Sequence, residues 1–83
     1  MSTNSDMMTT AKYIRTHDDR IIVFSAALEH RAFKLFRPKS AGWITFGVDS
    51  EGNPVCSCYG HAFTLDLSAD EGDTMKAQYQ IIG

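Results

Sequence analysis

Cys56, Cys58 and His61 stand close together in the chain and carry donor types suited to a soft metal ion. A structural zinc takes four ligands, usually from spaced pairs such as C-x2-C. These cysteines are C-x-C, and His17 or His30 would have to supply the fourth ligand from elsewhere in the fold. The competing reading is a pair of small thiols packed beneath a helix, and no metal is assigned. Cys58 or Cys56 could also act as a nucleophile with His30 or His61 as its base. That chemistry needs hydrogen-bond reach and a donor pair for the oxyanion, neither of which spacing supplies. His17, Asp18 and Asp19 have acid–base side chains but lie in turn-forming sequence, where they read as solvated turn residues. No catalytic residue is assigned, and binding without turnover is expected.

A second group carries charge. At ~100° per residue, His30, Arg31, Lys34 and Arg37 gather on one arc of a helix over 26–37, and Lys39 extends the stripe. These five are the candidate partner-binding residues, able to contact phosphates of nucleic acid or an acidic patch on a protein. The alternative is a solvated helix face, or one paired with the protein's own acids. Trp43, Phe46, Tyr59 and Phe63 offer rings for base stacking, but no basic residue is interleaved with them in the sequence, so they read as core. The acids Asp66, Asp70, Glu71 and Asp73 read as helix capping rather than as a mimic of phosphate.

The elements that must position these residues are legible as runs and turns. Gly42 to Val48 and Val55 to Leu67 are β-rich and flank Asp49-Ser50-Glu51-Gly52-Asn53-Pro54, which is turn chemistry, so a hairpin is expected there. Alternation along the second run puts Val55, Tyr59, Phe63, Leu65 and Leu67 on the core face of a strand that bends at Gly60. Lys12 to His17 and Arg20 to Phe24 form a second hairpin around Asp18-Asp19, the first half an edge strand and the second a central one. Ser25 then caps a helix whose buried face is Leu28, Ala32, Leu35 and Phe36, ended by Pro38. Ser68-Ala69-Asp70-Glu71 is a capping-box arrangement. Residues 73–82 fit either periodicity, and the cap favours helix. The order is ββα-ββα, predicting a small α+β domain, a two-layer sandwich with an antiparallel sheet covered on one face by two helices. Residues 1–10 are Ser/Thr/Asn-rich and read as a disordered leader, leaving 11–83 as the single domain.

Composition sets the outer bounds. Hydrophobic residues are 43% and charged residues 22% of 83, an ordinary globular balance that excludes wholesale disorder. No apolar run approaches the ~18 residues that span a bilayer, and no charged stretch followed by an apolar one opens the chain. Two cysteines are too few for a disulfide framework, so reduced thiols and a cytoplasmic location are expected. The net charge of −2 hides an asymmetry. Between residues 12 and 39, Lys12, Arg15, Arg20, Arg31, Lys34, Arg37 and Lys39 face only Asp18, Asp19 and Glu29, and residues 40–73 contain no lysine or arginine. A chain this short is thinly cored, so a partner or a homodimer would add support.

Ile21-Ile22-Val23-Phe24-Ser25, Leu28-Glu29-His30-Arg31, Ser40-Ala41-Gly42-Trp43, Cys58-Tyr59-Gly60 ahead of Phe63-Thr64-Leu65, and an acidic closing helix together resemble small uncharacterised proteins encoded by phages and prophages. The resemblance runs over about residues 20–82. It implies an accessory factor acting inside an infected bacterium by binding host or defence machinery, and it implies no catalytic residues. The expectation is therefore a cytoplasmic protein-binding protein without a cofactor. Nucleic-acid binding through the basic helix and a small Cys/His hydrolase are the alternatives.

Overall fold

Short β-branched and aromatic runs, separated by Asp, Gly and Pro turns, build a four-stranded antiparallel sheet in the computed structural model, which describes residues 9–83. The strands are β1 (Thr9–Arg15), β2 (Ile21–Phe24), β3 (Ser40–Val48) and β4 (Pro54–Tyr59), in the spatial order β2-β1-β3-β4. The 49–53 turn closes on Asp49, whose Oδ1 accepts the N–H groups of Glu51 and Asn53 at 2.9 Å each. Gly52 there takes φ +83, a conformation that costs glycine nothing. With a 3₁₀ segment over His30–Phe36 and a C-terminal helix, the domain is α+β.

After β4 the chain turns at Gly60, φ +85, into a two-stranded ribbon, β5 (His61–Ala62) against β6 (Leu67–Ser68). The bend at Gly60 is the expected one, but the run to Leu67 is not one strand. Its burial also departs from the expected phase. Cys56 is buried and Cys58 half-buried, whereas Tyr59 and Phe63 are exposed. The reason is what covers each face. Tyr13 and Ile14 are neighbours on β1, so they point to opposite faces, and each heads its own core. Tyr13 packs with Ile21, Ile44, Cys56 and Ala77 of the C-terminal helix. Ile14 packs with Phe24, Ala41, Ala62 and Phe33 of the 3₁₀ segment. The two helical pieces therefore lie on opposite faces of the sheet, not together on one.

Three further expectations are corrected. β1, not β2, is the central strand, since it pairs on both sides while β2 pairs on one. Thr9 and Thr10 open β1 instead of belonging to a leader, and residues 1–8 lie outside the described ones. The helix over 26–37 is a 3₁₀ segment of two turns broken at Phe33, φ −109. Its inward residues are His30 and Phe33, and Leu28, Leu35 and Phe36 face outward. Phe33 stacks on Phe24 with ring centroids 4.0 Å apart, and that contact sets the register of the turn over the sheet.

The C-terminal helix, α1 (Asp73–Ala77), continues as a wider π turn over Gln78–Ile82, so residues 73–82 are helical as expected. It begins after the predicted cap, because Ser68 is spent in β6. The helix reaches both edge strands. Thr74 Oγ1 accepts the Cys58 N–H at 2.8 Å, and Gln78 Oε1 accepts the Cys56 N–H at 3.1 Å, so side chains one turn apart take the place of a neighbouring strand beside β4. Gln80 Oε1 does the same for the Ile21 N–H of β2 at 2.9 Å. The paired change Thr74→Val with Gln78→Met leaves two edge donors on β4 without a protein acceptor, at about 1 kcal/mol each. The expected outcome is a lower urea midpoint and concentration-dependent association on size exclusion. A wild-type midpoint with wild-type elution would show that the helix does not protect this edge.

Candidate functional site

The strongest polar cluster of the molecule is inside it. Asp73 at the start of α1 is 0% exposed and takes hydrogen bonds from four donors. These are the Tyr13 hydroxyl, Arg15 Nη1 at 2.8 Å, Ser40 Oγ at 2.9 Å and the Asp70 N–H at 2.9 Å. Burial pushes the carboxyl up, but these bonds outweigh it and hold Asp73 below the usual aspartate value. Burial, then the Asp73 charge, pushes the Tyr13 hydroxyl far up, so it remains a donor. Arg15 also binds Asp19 Oδ1 through Nη2 at 2.9 Å, and Lys39 Nζ reaches the same oxygen at 2.7 Å. Lys39 first, then Arg15, hold Asp19 down to about 2. Among the described residues no buried side-chain N or O lacks a partner. This carboxylate is saturated by structural bonds and has no free edge for a substrate.

The cysteines lie under the C-terminal helix on the Tyr13 face, away from His30 on the other. Burial, with the neighbouring Cys56 and Asp73, pushes the Cys58 thiol up to about 12, and burial raises Cys56 as well. Both are therefore thiols at neutral pH, not thiolates. Cys56, Cys58 and His61 do not converge, and among the described residues no three His, Cys, Asp or Glu side chains gather to hold a metal.

The predicted basic stripe is divided by the fold. His30 is buried, its Nε2–H donating to the Gly42 carbonyl at 2.8 Å, and burial holds its pKa down. Lys39 is drawn to Asp19, and exposed Arg31 pairs with Glu29 at 2.8 Å. Lys34 and Arg37 remain exposed, with no carboxylate in ion-pair distance among the described residues. Between them stand Leu35, 94% exposed, and Phe36, about half exposed. Arg37 closes the segment at φ 51, its N–H donating to the Lys34 carbonyl at 2.9 Å, and Pro38 prevents continuation. The result is an apolar ridge flanked by two cations. It was missed because the 3.6 periodicity assigned Leu35 and Phe36 to the core.

A second surface forms around Trp43. Lys12 on β1 is register partner to Trp43, and its Nζ lies 5.2 Å from the indole centroid. His30 flanks Trp43 on one side, while Phe63, 84% exposed, packs on His61 with centroids 4.5 Å apart on the other. Together they line a cleft of about 240 Å³. Gly60 makes room for the indole, since a Cβ there would lie 3.0 Å from Trp43 Cδ1. A basic residue does sit among the aromatics, brought from another strand. Of the four rings proposed as core, only Phe46 packs against the Tyr13 cluster.

Searches of family models, curated proteins and solved structures find no match to this chain. Among the described residues no helix is long and apolar enough to cross a membrane.

The Asp73 cluster makes a measurable demand. Its native pKa lies below that of an unfolded aspartate, about 3.9, so its stabilisation is full above that pH and is lost as pH falls through the native value. Asp19, held to about 2, acts in the same direction. The wild-type urea midpoint is expected to fall steeply below about pH 4. Asp73→Asn should cost about 3 kcal/mol at neutral pH and flatten that acid limb. A parallel pH profile in the variant would remove Asp73 from this role.

Proposed function

We propose that this is a small protein-binding protein that works through the ridge formed by Lys34, Leu35, Phe36 and Arg37. The observation that carries the reading is Leu35, a large apolar side chain 94% exposed between two cations that have no ion-pair partner among the described residues. An exposed leucine alone needs no explanation, but here Phe36 adjoins it and the ridge is rimmed by charge, the composition of a hot spot awaiting a pocket. The matching surface is an apolar groove with acidic residues at its rim, which Lys34 and Arg37 would steer and orient. Arg31 belongs to the outer rim, His30 supports the segment from within, and Lys39 is held at the surface by Asp19. The resemblance to phage and prophage proteins makes host or defence machinery in a bacterial cytoplasm the setting we infer, with no turnover. The sheet that carries this ridge has a helical piece on each face.

The test is an affinity capture from bacterial lysate with nuclease treatment and a high-salt wash, using wild type, Leu35→Asp and Lys34→Glu/Arg37→Glu. One stoichiometric protein should survive both treatments with wild type and fall by about tenfold or more with Leu35→Asp. The double charge reversal should slow association and reduce recovery less. Capture that Leu35→Asp leaves intact would move the interface elsewhere, and recovery that vanishes with nuclease would shift the function to nucleic acid.

A further inference from the structure

The row that crosses the sheet at Trp43 places three different chemistries side by side. Lys12, Trp43 and Tyr59 are register neighbours on β1, β3 and β4, so their side chains share one face. Tyr59 is exposed, and Lys12 and Trp43 are half-buried. The ammonium of Lys12 donates once, to the Leu28 carbonyl at 2.7 Å, and has two further N–H bonds to give. Glu29, the carboxylate on the cleft rim, is taken by Arg31, and among the described residues no carboxylate lies within ion-pair distance of Lys12. The cleft therefore carries one uncompensated positive charge beside an indole and the exposed Phe63 ring.

We propose that this cleft binds a planar ring bearing an anionic group, a chemistry shared by nucleoside monophosphates and aromatic carboxylates. The ring stacks between Trp43 and Phe63, and the anion accepts the two free N–H bonds of Lys12. The size suits this occupant. At about 240 Å³ the cleft lies below the ~300 Å³ where sites for larger organic ligands begin, so it takes the planar ring while the remainder of a nucleotide would lie outside it. The cleft shares the His30 end of the ridge-bearing segment but none of Lys34, Leu35, Phe36 or Arg37, so substitutions at Leu35 and at Phe63 test the two surfaces separately.

Trp43 is the only tryptophan of the chain, so its emission reports the cleft directly. Adenosine monophosphate and phenylacetate are titrated into the full chain, each beside its uncharged counterpart, adenosine and benzyl alcohol. At least one anion should change the emission saturably, and bind about tenfold tighter than its neutral counterpart. Response to the nucleotide alone makes the site a nucleotide site, and response to phenylacetate alone makes it a carboxylate site. Lys12→Met should lose about tenfold in affinity and Lys12→Arg should retain most of it. Because Lys12 also holds Leu28, Phe63→Ala provides a second test at an exposed position. It should weaken binding about fivefold with an unchanged melting temperature. No saturable response to either anion, equal affinity for the neutral compounds, or wild-type affinity in folded Lys12→Met or Phe63→Ala would overturn the proposal.

Discussion

A single buried negative charge holds this fold together. Removing the Asp73 carboxylate from water costs several kcal/mol, which only saturated hydrogen bonding and an opposite charge can offset. Both are present: Tyr13 and Arg15 come from the central strand, Ser40 from β3, and Asp70 from the turn before the helix. Three segments distant in sequence, β1, β3 and the turn that opens α1, are thus committed to one point. A helix of ten residues is marginal alone, and its inward apolar contribution is small, with Ala77 fully buried and Ile82 partly so. The Asp73 anchor and the edge bonds of Thr74, Gln78 and Gln80 supply what propensity and burial do not. The helix in turn closes both edges of the sheet, so the ionic cluster indirectly protects strands that would otherwise be open to pairing.

The sheet is covered unequally. Its Tyr13 face carries the ten-residue α-to-π helix, and its Ile14 face carries only a short 3₁₀ turn and the β5–β6 ribbon. A 3₁₀ segment of seven residues presents fewer inward side chains than an amphipathic α-helix. Phe33 and His30 fill that role, and the remaining apolar residues are turned out. The same thin cover leaves Trp43 at a border, packed against Gly60 but open beside Lys12. Both candidate surfaces follow from this one economy of cover.

Local chemistry in the sequence announced the hairpin around Asp49 to Pro54, the turn at Asp18-Asp19, the bend at Gly60 and the stop at Pro38, because each depends on a few adjacent residues, whereas 73–82 fitted helix and strand alike. Burial was less legible, because it depends on what covers a face. Cys56 and Tyr59 stand on opposite sides of β4, and alternation cannot say which side meets the helix. β2 looked central by its dense β-branched run, yet Val23 is partly exposed and the more polar β1 lies in the middle. Its Arg15 and Tyr13 are buried through Asp73, a partner some 60 positions away in the chain that no periodicity reveals. The Lys12–Trp43 contact was hidden for the same reason, since only strand register brings the cation to the ring.

The charge asymmetry of the sequence suggested a molecule with a basic face and an acidic one, but folding consumes much of it. Arg15 is spent on Asp73 and Asp19, Lys39 on Asp19, and Arg31 on its neighbour Glu29. Pairing of this kind is local and screened where exposed, yet it changes what a partner meets. Among the described residues, Lys34 and Arg37 beside Leu35, Lys12 beside Trp43, and Arg20 have no carboxylate within ion-pair distance. Isolated cations beside exposed apolar groups do not make a phosphate-tracking surface, which needs several charges in line. In the two proposed readings they would orient and select, while the adjacent ring or leucine would supply the buried area. The charge this surface presents is therefore set less by the number of its basic residues than by which of them the protein's own acids leave unneutralised.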